Sequence, residues 1–458
     1  MLDRDSLQAL IEAVRKLDEG FQALPSYDPV VPGRERLTEI LNETASRLTD
    51  NYPYFHPLYA GQMLKPPHPV ARLAYALAMY VNPNNHALDG GRVTSAMEKE
   101  AVAEIAAMFG WPEHLGHLCG GGTLANLEAL WVAGQLRPGK TILASQQAHY
   151  THSRISAVLQ LPFESVAVDA RGKMDVSALA KRLTKGDVGT VVATLGTTAI
   201  GSVDPLHEIL ELQHQHGFRI HVDAAYGGYF ALLDSLEADA AKAFAQVARA
   251  DSIVIDPHKH GLQPYGCGCV LFRDPSVGSL YKHDSPYTYF SSAELHLGEI
   301  SLECSRAGAA AAALWATQRL LPLTRGEAMA QSLQRSRDAA LKLYSRVERD
   351  PAFITAFRPE LDIVVFAPRA VSFSESSTLS RRVFAEAAKL DLHLALAELP
   401  AWLWRAHNPD LREDSETLTC LRSVLMKPEH LDWIDPIWER LQTAVCAVLS
   451  AAPRSTSA

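Results

Sequence analysis

Residues 191–223 read VVATLGTTAIGSVDPLHEILELQHQHGFRIHVD, and this stretch decides the fold class. An apolar run at 191–195 is followed by a helical pattern at 207–216 and a second apolar run at 220–222. Apolar runs without polar alternation are typical of strands that are buried on both faces of a sheet. A strand, a helix and a strand in succession therefore predict a parallel strand pair joined by its crossover helix.

The same alternation extends on both sides of this stretch, from residue 120 to residue 272. Apolar runs predict further strands at 141–144, 253–255 and 270–272, and residues 240–250 predict another helix. This pattern predicts an α/β domain with a large, mostly parallel mixed sheet that is covered by helices on both faces.

The flanking regions have a different character, so the chain divides into three predicted domains. Residues 1–90 form a helical arm and an irregular segment, residues 91–310 the large α/β domain, and residues 311–458 a small α+β domain. Near the first boundary, Ser95 and Glu98 match a capping box, which predicts the start of a helix. The C-terminal region has a helical pattern at 324–349 and β-like runs at 363–366, 392–396 and 418–424.

Composition excludes several classes of protein. The 458 residues are 47% hydrophobic and 21% charged, with a net charge of −9, which gives no reason to expect nucleic acid as a partner. The six cysteines form no disulfide pattern and indicate free thiols in a reducing compartment. Residues 1–21 lack the apolar core of a signal peptide, and the apolar stretch 307–316 is shorter than the ~20 residues that span a bilayer. We therefore expect a cytoplasmic protein without a membrane partner.

A lysine follows the predicted strand 253–255, within residues 256–261, DPHKHG. In open α/β sheets, ligands bind beyond the carboxyl ends of the strands. Burial of Lys259 there, beside His258 and His260, favours the neutral amine that imine formation needs. The alternative is an ordinary surface lysine on a loop.

An aspartate ends the strand at 220–222, within residues 221–228, HVDAAYGG. A buried carboxylate is costly unless it meets a cation, and a protonated pyridine nitrogen is such a cation. Asp223 would keep the ring charged, and Ala224 and Ala225 would let a flat ring lie close. Alternatively, Asp223 caps a helix.

Glycines at residues 119–126, CGGGTLAN, lead into a predicted helix. Free N–H groups and the positive end of the helix dipole make such a turn an anion site, with Thr123 as N-cap and phosphate ligand. The turn is neither a dinucleotide fingerprint nor a Walker loop, which counts against NAD and ATP. A flexible glycine turn is the alternative.

Two more strand ends carry polar residues. Within residues 147–153, QAHYTHS, one imidazole could stack on a ring, and the hydroxyls of residues 196–198, GTT, could reach the same ligand. The spacing of His149 and His152 also suits a metal pair. No carboxylate or cysteine accompanies it nearby in the sequence, so we expect no metal, and a core histidine is the alternative for His152.

The order of these motifs resembles that of the group II amino-acid decarboxylases, which depend on pyridoxal 5'-phosphate (PLP). This family includes the aromatic amino-acid, glutamate and histidine-type decarboxylases of fold type I, the aspartate aminotransferase-like fold. The resemblance runs from about residue 32 to about residue 449 and is most specific at 221–228 and 256–261.

The resemblance implies roles for particular residues. Lys259 matches the lysine that forms the Schiff base with PLP, and His258 matches its neighbour that contacts the phosphate. Asp223 matches the carboxylate on the pyridine nitrogen, and Ala225 the residue that packs under the ring. His149 matches the histidine that is stacked on the other face of the ring.

The phosphate-binding turn matches less fully. Gly122 and Thr123 correspond to that turn, and Thr197 to the threonine of the Gly-Thr-Thr segment. Gly121 stands where many relatives carry serine, and Leu124 where many carry glutamate. These departures reduce the side-chain contribution that we expect at the anion site.

The resemblance also implies a proton donor on a loop. Residues 283–290, HDSPYTYF, look like the family's mobile loop, whose tyrosine protonates Cα. The sequence leaves Tyr287 and Tyr289 open as that acid, and loop packing is the alternative for either.

Four further residues are candidates for contact with the substrate. Arg422 lies where an arginine of fold-type-I enzymes often binds a carboxylate. A structural salt bridge between domains accounts equally well for an arginine at this position. Tyr54, His56 and Tyr59 correspond to a substrate-facing segment in relatives, which favours an aromatic or otherwise large substrate side chain.

The implied activity is decarboxylation of an L-amino acid to its amine and CO2, by a homodimer with active sites at the subunit interface. Aldehyde-forming decarboxylation–deamination and transamination are the alternatives within PLP chemistry. A non-catalytic nucleotide- or ligand-binding α/β module is the alternative from another class. Side-chain selectivity depends on the shape of the pocket, which a single sequence does not display.

Overall fold

The computed structural model describes residues 3–27, 31–86, 88–282 and 300–450. The N-terminal region consists of helices α1 (Arg4–Glu19), α2 (Arg34–Leu48), α3 (Pro69–Met79) and α4 (Leu88–Met108). An irregular segment between α2 and α3 contacts the C-terminal domain, since the N–H of Ala60 donates to the carbonyl of His393 at 2.9 Å.

The central sheet confirms the predicted mostly parallel mixed sheet of the large domain. Its strands are β1 (Leu115–Cys119), β2 (Thr141–Ser145), β3 (Phe163–Val166), β4 (Val188–Thr194), β5 (Arg219–Asp223), β6 (Ser252–Ile255) and β7 (Gly268–Phe272). They lie in the order β1-β7-β6-β5-β4-β2-β3, with β7 antiparallel to both of its neighbours. The other described neighbours are parallel, so β2, β4, β5 and β6 end at one edge.

Helices cover this sheet because its strands are apolar on both faces. They are α5 (Gly122–Leu136), α6 (Thr151–Val158), α7 (Val176–Leu183), α8 (Leu206–His216), α9 (Ala238–Ala245) and α10 (Gly278–Tyr281). Every residue of β2, β6 and β7 is buried. The apolar runs of the sequence thus correspond to the core of the domain.

A second, antiparallel sheet forms the C-terminal domain. Its strands are β8 (Phe353–Thr355), β9 (Ile363–Pro368), β10 (Ala395–Pro400) and β11 (Thr417–Val424), in the order β10-β11-β9-β8. The accompanying helices are α12 (Ala328–Arg349), α13 (Phe373–Lys389), α14 (Trp402–Arg405) and α15 (His430–Ser450). Helix α11 (Gly308–Leu320) packs instead on α3 and α4.

Some local predictions were wrong. Ser95 lies inside α4 rather than at its start, and the Glu98 carboxylate accepts from the N–H of Leu118 at 2.9 Å, so it does not close a capping box. The strand predicted at 392–396 begins at Ala395, because the N–H of Leu392 bonds to the carbonyl of Ala387 and closes α13. The described helices do not combine the length and apolar character that crossing a membrane requires.

Candidate active site

A cleft of about 590 Å³ lies at the carboxyl edge of the central sheet. Most of the predicted cofactor-binding residues line it together, although they are far apart in the sequence: Gly122, Thr123, His149, Asp223, Ala225, His258 and Lys259. Each lies at the end of a strand or just after it, so the topology of the sheet brings them to one place.

Lys259 is placed in the cleft by the turn that follows β6. The side-chain Nζ of Lys259 lies 2.9 Å from Oδ2 of Asp256. The backbone N–H of Lys259 donates to the backbone carbonyl of Asp256 at 2.9 Å. Asp256 is buried, and its Oδ1 has no hydrogen-bond partner among the described residues. Asp256 is not among the predicted site residues, although it begins the motif that contains the lysine.

The glycine turn leads from β1 into α5, and its geometry depends on Gly121. This residue has φ 146°, a conformation that side chains disfavour, and serves as the N-cap of α5. The prediction that Thr123 is the N-cap was therefore wrong, because the helix already begins at Gly122. The N–H groups of Gly122 and Thr123 precede the first intrahelical bonds and can bind an anion.

Asp223 ends β5 and is held by three hydrogen bonds. His152 donates from Nε2 to Oδ2 at 2.8 Å, Asn126 donates from Nδ2 to the same oxygen at 3.5 Å, and the N–H of Ala225 donates to Oδ1 at 3.1 Å. Burial alone raises the pKa of this carboxyl, but the hydrogen bond and charge of His152 outweigh it and hold the pKa well below its usual range. Asp223 is thus a permanent anion in the cleft.

A neutral histidine extends this network. Burial lowers the pKa of His221 to about 3, so the ring is uncharged near neutral pH. Its Nε2 lies 2.8 Å from Oδ1 of Asn126 and its Nδ1 lies 2.9 Å from the Ser252 hydroxyl. Since the amide oxygen can only accept, Nε2 carries the proton and Ser252 donates to Nδ1. This chain orients the Asn126 amide toward Asp223.

His149 lines the cleft, and its ring is held by the start of α6. The N–H of Thr151 donates to Nδ1 at 3.2 Å, and the Thr151 hydroxyl lies 2.6 Å from the same atom. Burial lowers the pKa of His149, which favours the neutral form of the ring. His152 bonds to Asp223 instead, and the described residues contain no group of three or more histidine, cysteine, aspartate or glutamate side chains suited to a metal.

Of the two threonines in the Gly-Thr-Thr segment, Thr198 rather than the predicted Thr197 lies in the lining of the cleft. Thr197 is buried, and its Oγ1 accepts from the N–H of Ser202 at 3.0 Å, whereas Thr198 lines the cleft. Arg422 binds this segment from the C-terminal domain, donating to the carbonyls of Thr198 at 2.6 Å and Ala199 at 2.9 Å. In the described residues it therefore contacts backbone carbonyls rather than a carboxylate.

The remaining predicted substrate residues pack outside the lining of this cleft. Tyr54 and Tyr59 make an edge-to-face contact with ring centroids 4.9 Å apart, and the ring of His56 lies 4.8 Å from that of Trp433. Tyr287 and Tyr289 lie outside the described residues. The roles of all five candidates, with Arg422, stay predictions.

The residues in the cleft fit PLP. Asp223 supplies a buried anion for a pyridinium nitrogen, His149 supplies a flat ring and Ala225 a small side chain in the same cleft, and the start of α5 offers N–H groups to a phosphate. A Cβ at Gly122 would come within 2.8 Å of Oδ2 of Asp256, so a residue larger than glycine would displace the Asp256 carboxylate. His258, whose Nδ1 donates to the Cys267 carbonyl at 2.9 Å, lies beside the same turn.

Comparison with known proteins agrees with this fit. A family model described as the pyridoxal-dependent decarboxylase conserved domain matches residues 131–369. The chain is similar to an L-tyrosine decarboxylase of Enterococcus faecium, with 28% identity across 67% of this chain and 66% of the relative. A probable L-tyrosine/L-aspartate decarboxylase of Methanothrix thermoacetophila is 32% identical across 62% of this chain and 70% of the relative. The match thus spans about two thirds of the length of these relatives.

Solved structures with the same fold share little sequence with this chain. The Oryza sativa TDC with PLP and tryptamine has a TM-score of 0.78 at 17% identity, covering 97% of this chain and 99% of that chain. Mouse CSAD has a TM-score of 0.77 at 20% identity, with coverage of 97% and 99%. These likenesses show the fold.

The fold and the cleft define the class of fold-type-I enzymes whose cofactor is PLP. Within that class, the chain belongs to the pyridoxal-dependent decarboxylase family. The family predicted from the motifs is therefore confirmed.

Proposed function

We propose that this chain removes the α-carboxyl group of an L-amino acid as CO2 and releases the amine. The proposal rests on one observation, that Lys259 and the anionic Asp223 line the same cleft. PLP, when bound, supplies the electron-withdrawing ring that stabilises the carbanion left by CO2. Relatives named as decarboxylases support this reaction over transamination.

In this proposal, the described residues act by binding, positioning and proton transfer. Asp223 holds a proton on the pyridine nitrogen, and its own hydrogen bonds to His152 and Ala225 fix its oxygens. His149 and Ala225 would pack against the ring, and the first N–H groups of α5 would hold the phosphate. Lys259 would hold the cofactor through Nζ.

We further propose an aromatic substrate, a cytoplasmic location and a homodimer with active sites at its interface. Relatives named for L-tyrosine, and a solved Catharanthus roseus tryptophan decarboxylase in complex with L-tryptophan, support the aromatic substrate. The proton at Cα comes from Tyr287 or Tyr289 in this proposal. If both Phe variants decarboxylate normally, a loop tyrosine is not the donor.

Product analysis tests the proposed reaction. Protein loaded with PLP should convert one of a panel of aromatic, acidic and basic L-amino acids to CO2 and amine, and Lys259→Ala should abolish this. Lys242→Ala, at an exposed lysine, is the matched control. Borohydride followed by peptide mass spectrometry should locate reduced PLP on Lys259. Release of aldehyde and ammonia, or of a keto acid without CO2, would assign the alternative reactions.

A protein that does not retain PLP and shows no yellow absorbance would instead favour a ligand-binding module. A labelled peptide that contains a lysine other than Lys259 would also overturn the proposed site.

A further inference from the structure

A second cavity, of about 390 Å³, lies between the N-terminal segment, α12 and the residues that follow β11. Its basic side chains come from separate parts of the chain: Lys65 from the N-terminal segment, Arg72 from α3 and Lys427 from the segment after β11. Apolar side chains, among them Leu262 and Met329, form much of the remaining wall.

The cations of this cavity have no carboxylate partner within ion-pair distance in the described residues. Lys427 is 3% exposed, and its Nζ donates to the Tyr59 carbonyl at 2.6 Å. Nζ of Lys65 donates to the Met426 carbonyl at 3.0 Å. Each ammonium has three donors, so donors remain on both lysines, and the buried Nε of Arg72 has no partner in the described ranges.

In the part of the chain that the structure describes, nearby acidic groups form no direct ion pair with these lysines, although the charges of Asp362 and Glu429 offset part of the effect of burial by raising the pKa of Lys65. Glu429 lines the cavity but is exposed and forms no ion pair among the described residues. The buried Asp362 accepts from the Tyr226 hydroxyl at 2.6 Å and lies 3.1 Å from Nε2 of His260. Burial lowers the pKa values of His68 and His260, so these imidazoles add no positive charge near neutral pH.

The buried charge has a measurable cost. Burial lowers the pKa of Lys427 to about 7, with the charge of Lys65 adding to the effect, and it lowers the pKa of Lys65 to about 8. A buried ammonium without an anion destabilises a folded protein, and an anion that binds beside it removes that cost. Selection for stability alone favours apolar side chains at such positions.

We propose that this cavity binds a small organic anion, with a carboxylate or phosphate group held by Lys65, Arg72 and Lys427 and an apolar body against Leu262 and Met329. The volume is that of a small-molecule site, which combines apolar walls with a few convergent polar groups. The site lies outside the PLP cleft and does not depend on the proposed reaction.

Isothermal titration of PLP-loaded protein with inorganic phosphate and with benzoate tests the proposal. Filling the cofactor cleft first removes it as a competing phosphate site. Saturable binding of either probe is expected, and Lys427→Met and Arg72→Gln should each weaken it by at least about tenfold. The exposed Lys242→Met is the matched control and should bind as the unmodified protein does. Tighter binding of benzoate than of phosphate would assign a carboxylate ligand.

Thermal unfolding separates a ligand site from a structural role. Lys427→Met should lose the probe without a large fall in unfolding temperature, since removal of the buried charge offsets loss of the hydrogen bond to the Tyr59 carbonyl. The proposal is overturned if neither phosphate nor benzoate binds the unmodified protein. It is also overturned if Lys427→Met and Arg72→Gln both bind the probe as tightly as the unmodified protein does. Should Lys427→Met not fold, Arg72→Gln and the titration of unmodified protein decide the outcome. A protein that fails to decarboxylate but binds benzoate would contradict the proposed function alone.

Discussion

Asp223 illustrates how a single residue is tuned by its neighbours. Burial opposes its charge, and the hydrogen bond from His152 restores it, so the ionised state depends on a residue that does not line the cleft. His152 is therefore a positioning residue, which holds the carboxylate in the state that PLP requires.

Replacement of His152 by glutamine should shift the pH profile of decarboxylation. Without the imidazole, burial is less opposed, so the pKa of Asp223 rises and the acid limb of the profile moves to higher pH. We expect activity near neutral pH to fall by about tenfold or more. The pH dependence of kcat and the absorbance of bound PLP measure this, with the exposed His216→Gln as control. A uniform loss at every pH would contradict it.

At this scale, the sequence predicted the residues that end strands but not those that support them. Lys259 and Asp223 stand in local motifs directly after apolar runs, so their place at the sheet edge follows from the pattern. Asn126 and His221 are 95 residues apart, and their hydrogen bond depends on how α5 packs on β5. No local pattern encodes that contact.

Among the elements, α5 depends most on one backbone conformation. Gly121→Ala introduces a Cβ 3.3 Å from Cε1 of His258 at a φ of 146°, which should cost about 1–3 kcal/mol of stability. The turn should also shift away from the phosphate position and weaken PLP binding. Denaturant unfolding and a fluorescence titration with PLP measure the two effects.

Gly139→Ala provides the matched control for that prediction. Gly139 has φ 71° with nothing within 4 Å of an added Cβ, so the substitution should cost about 1 kcal/mol without changing PLP affinity. Equal PLP affinity of the two variants would show that the start of α5 does not hold the phosphate.

The strands of the central sheet that escaped prediction differ from the others in composition. β3 reads FESV and exposes Glu164 and Ser165, because it lies at the edge of the sheet. β1 reads LGHLC, and Gly116 and His117 interrupt its apolar character. The central strands were predictable because both of their faces are buried, which demands an uninterrupted apolar run.

For the whole molecule, Arg422 joins the two domains and the N-terminal segment. Besides its bonds to Thr198 and Ala199, it lies 3.3 Å from the Gly61 carbonyl and 3.2 Å from Oε1 of Gln62. Arg422→Gln should destabilise the protein by about 2–4 kcal/mol, since it leaves buried carbonyls without donors. Urea unfolding tests this against the exposed Arg405→Gln, which should change stability little. Equal unfolding midpoints for the two variants would contradict it.

Stability should also depend on pH through Lys427. Its pKa of about 7 in the folded protein lies below the ordinary 10.5, so between about pH 7 and pH 9 the unfolded chain binds more protons. Stability therefore rises with pH over that window, and Lys427 contributes about 2 kcal/mol to the rise. Groups that face Lys427 include Lys65, Tyr59, His430 and Glu429.

Unfolding of Lys427→Met at both pH values isolates this contribution, because the other titrating groups remain. The variant should show a smaller gain in stability from pH 7 to pH 9 than the unmodified protein. The exposed Lys242→Met should keep the full gain. An equal gain in both variants would mean that Lys427 titrates normally.

The turn after β6 has two sides. Lys259 lies in the PLP cleft, while His260 and Leu262 line the other cavity, and the N–H of His68 donates to the Leu262 carbonyl at 2.8 Å. Thermodynamic linkage makes any coupling across this turn reciprocal, so the factor by which an occupant of one compartment changes affinity in the other is the same in both directions. One short stretch of backbone is therefore a wall of both compartments, and PLP affinity measured with and without benzoate would show whether they are coupled.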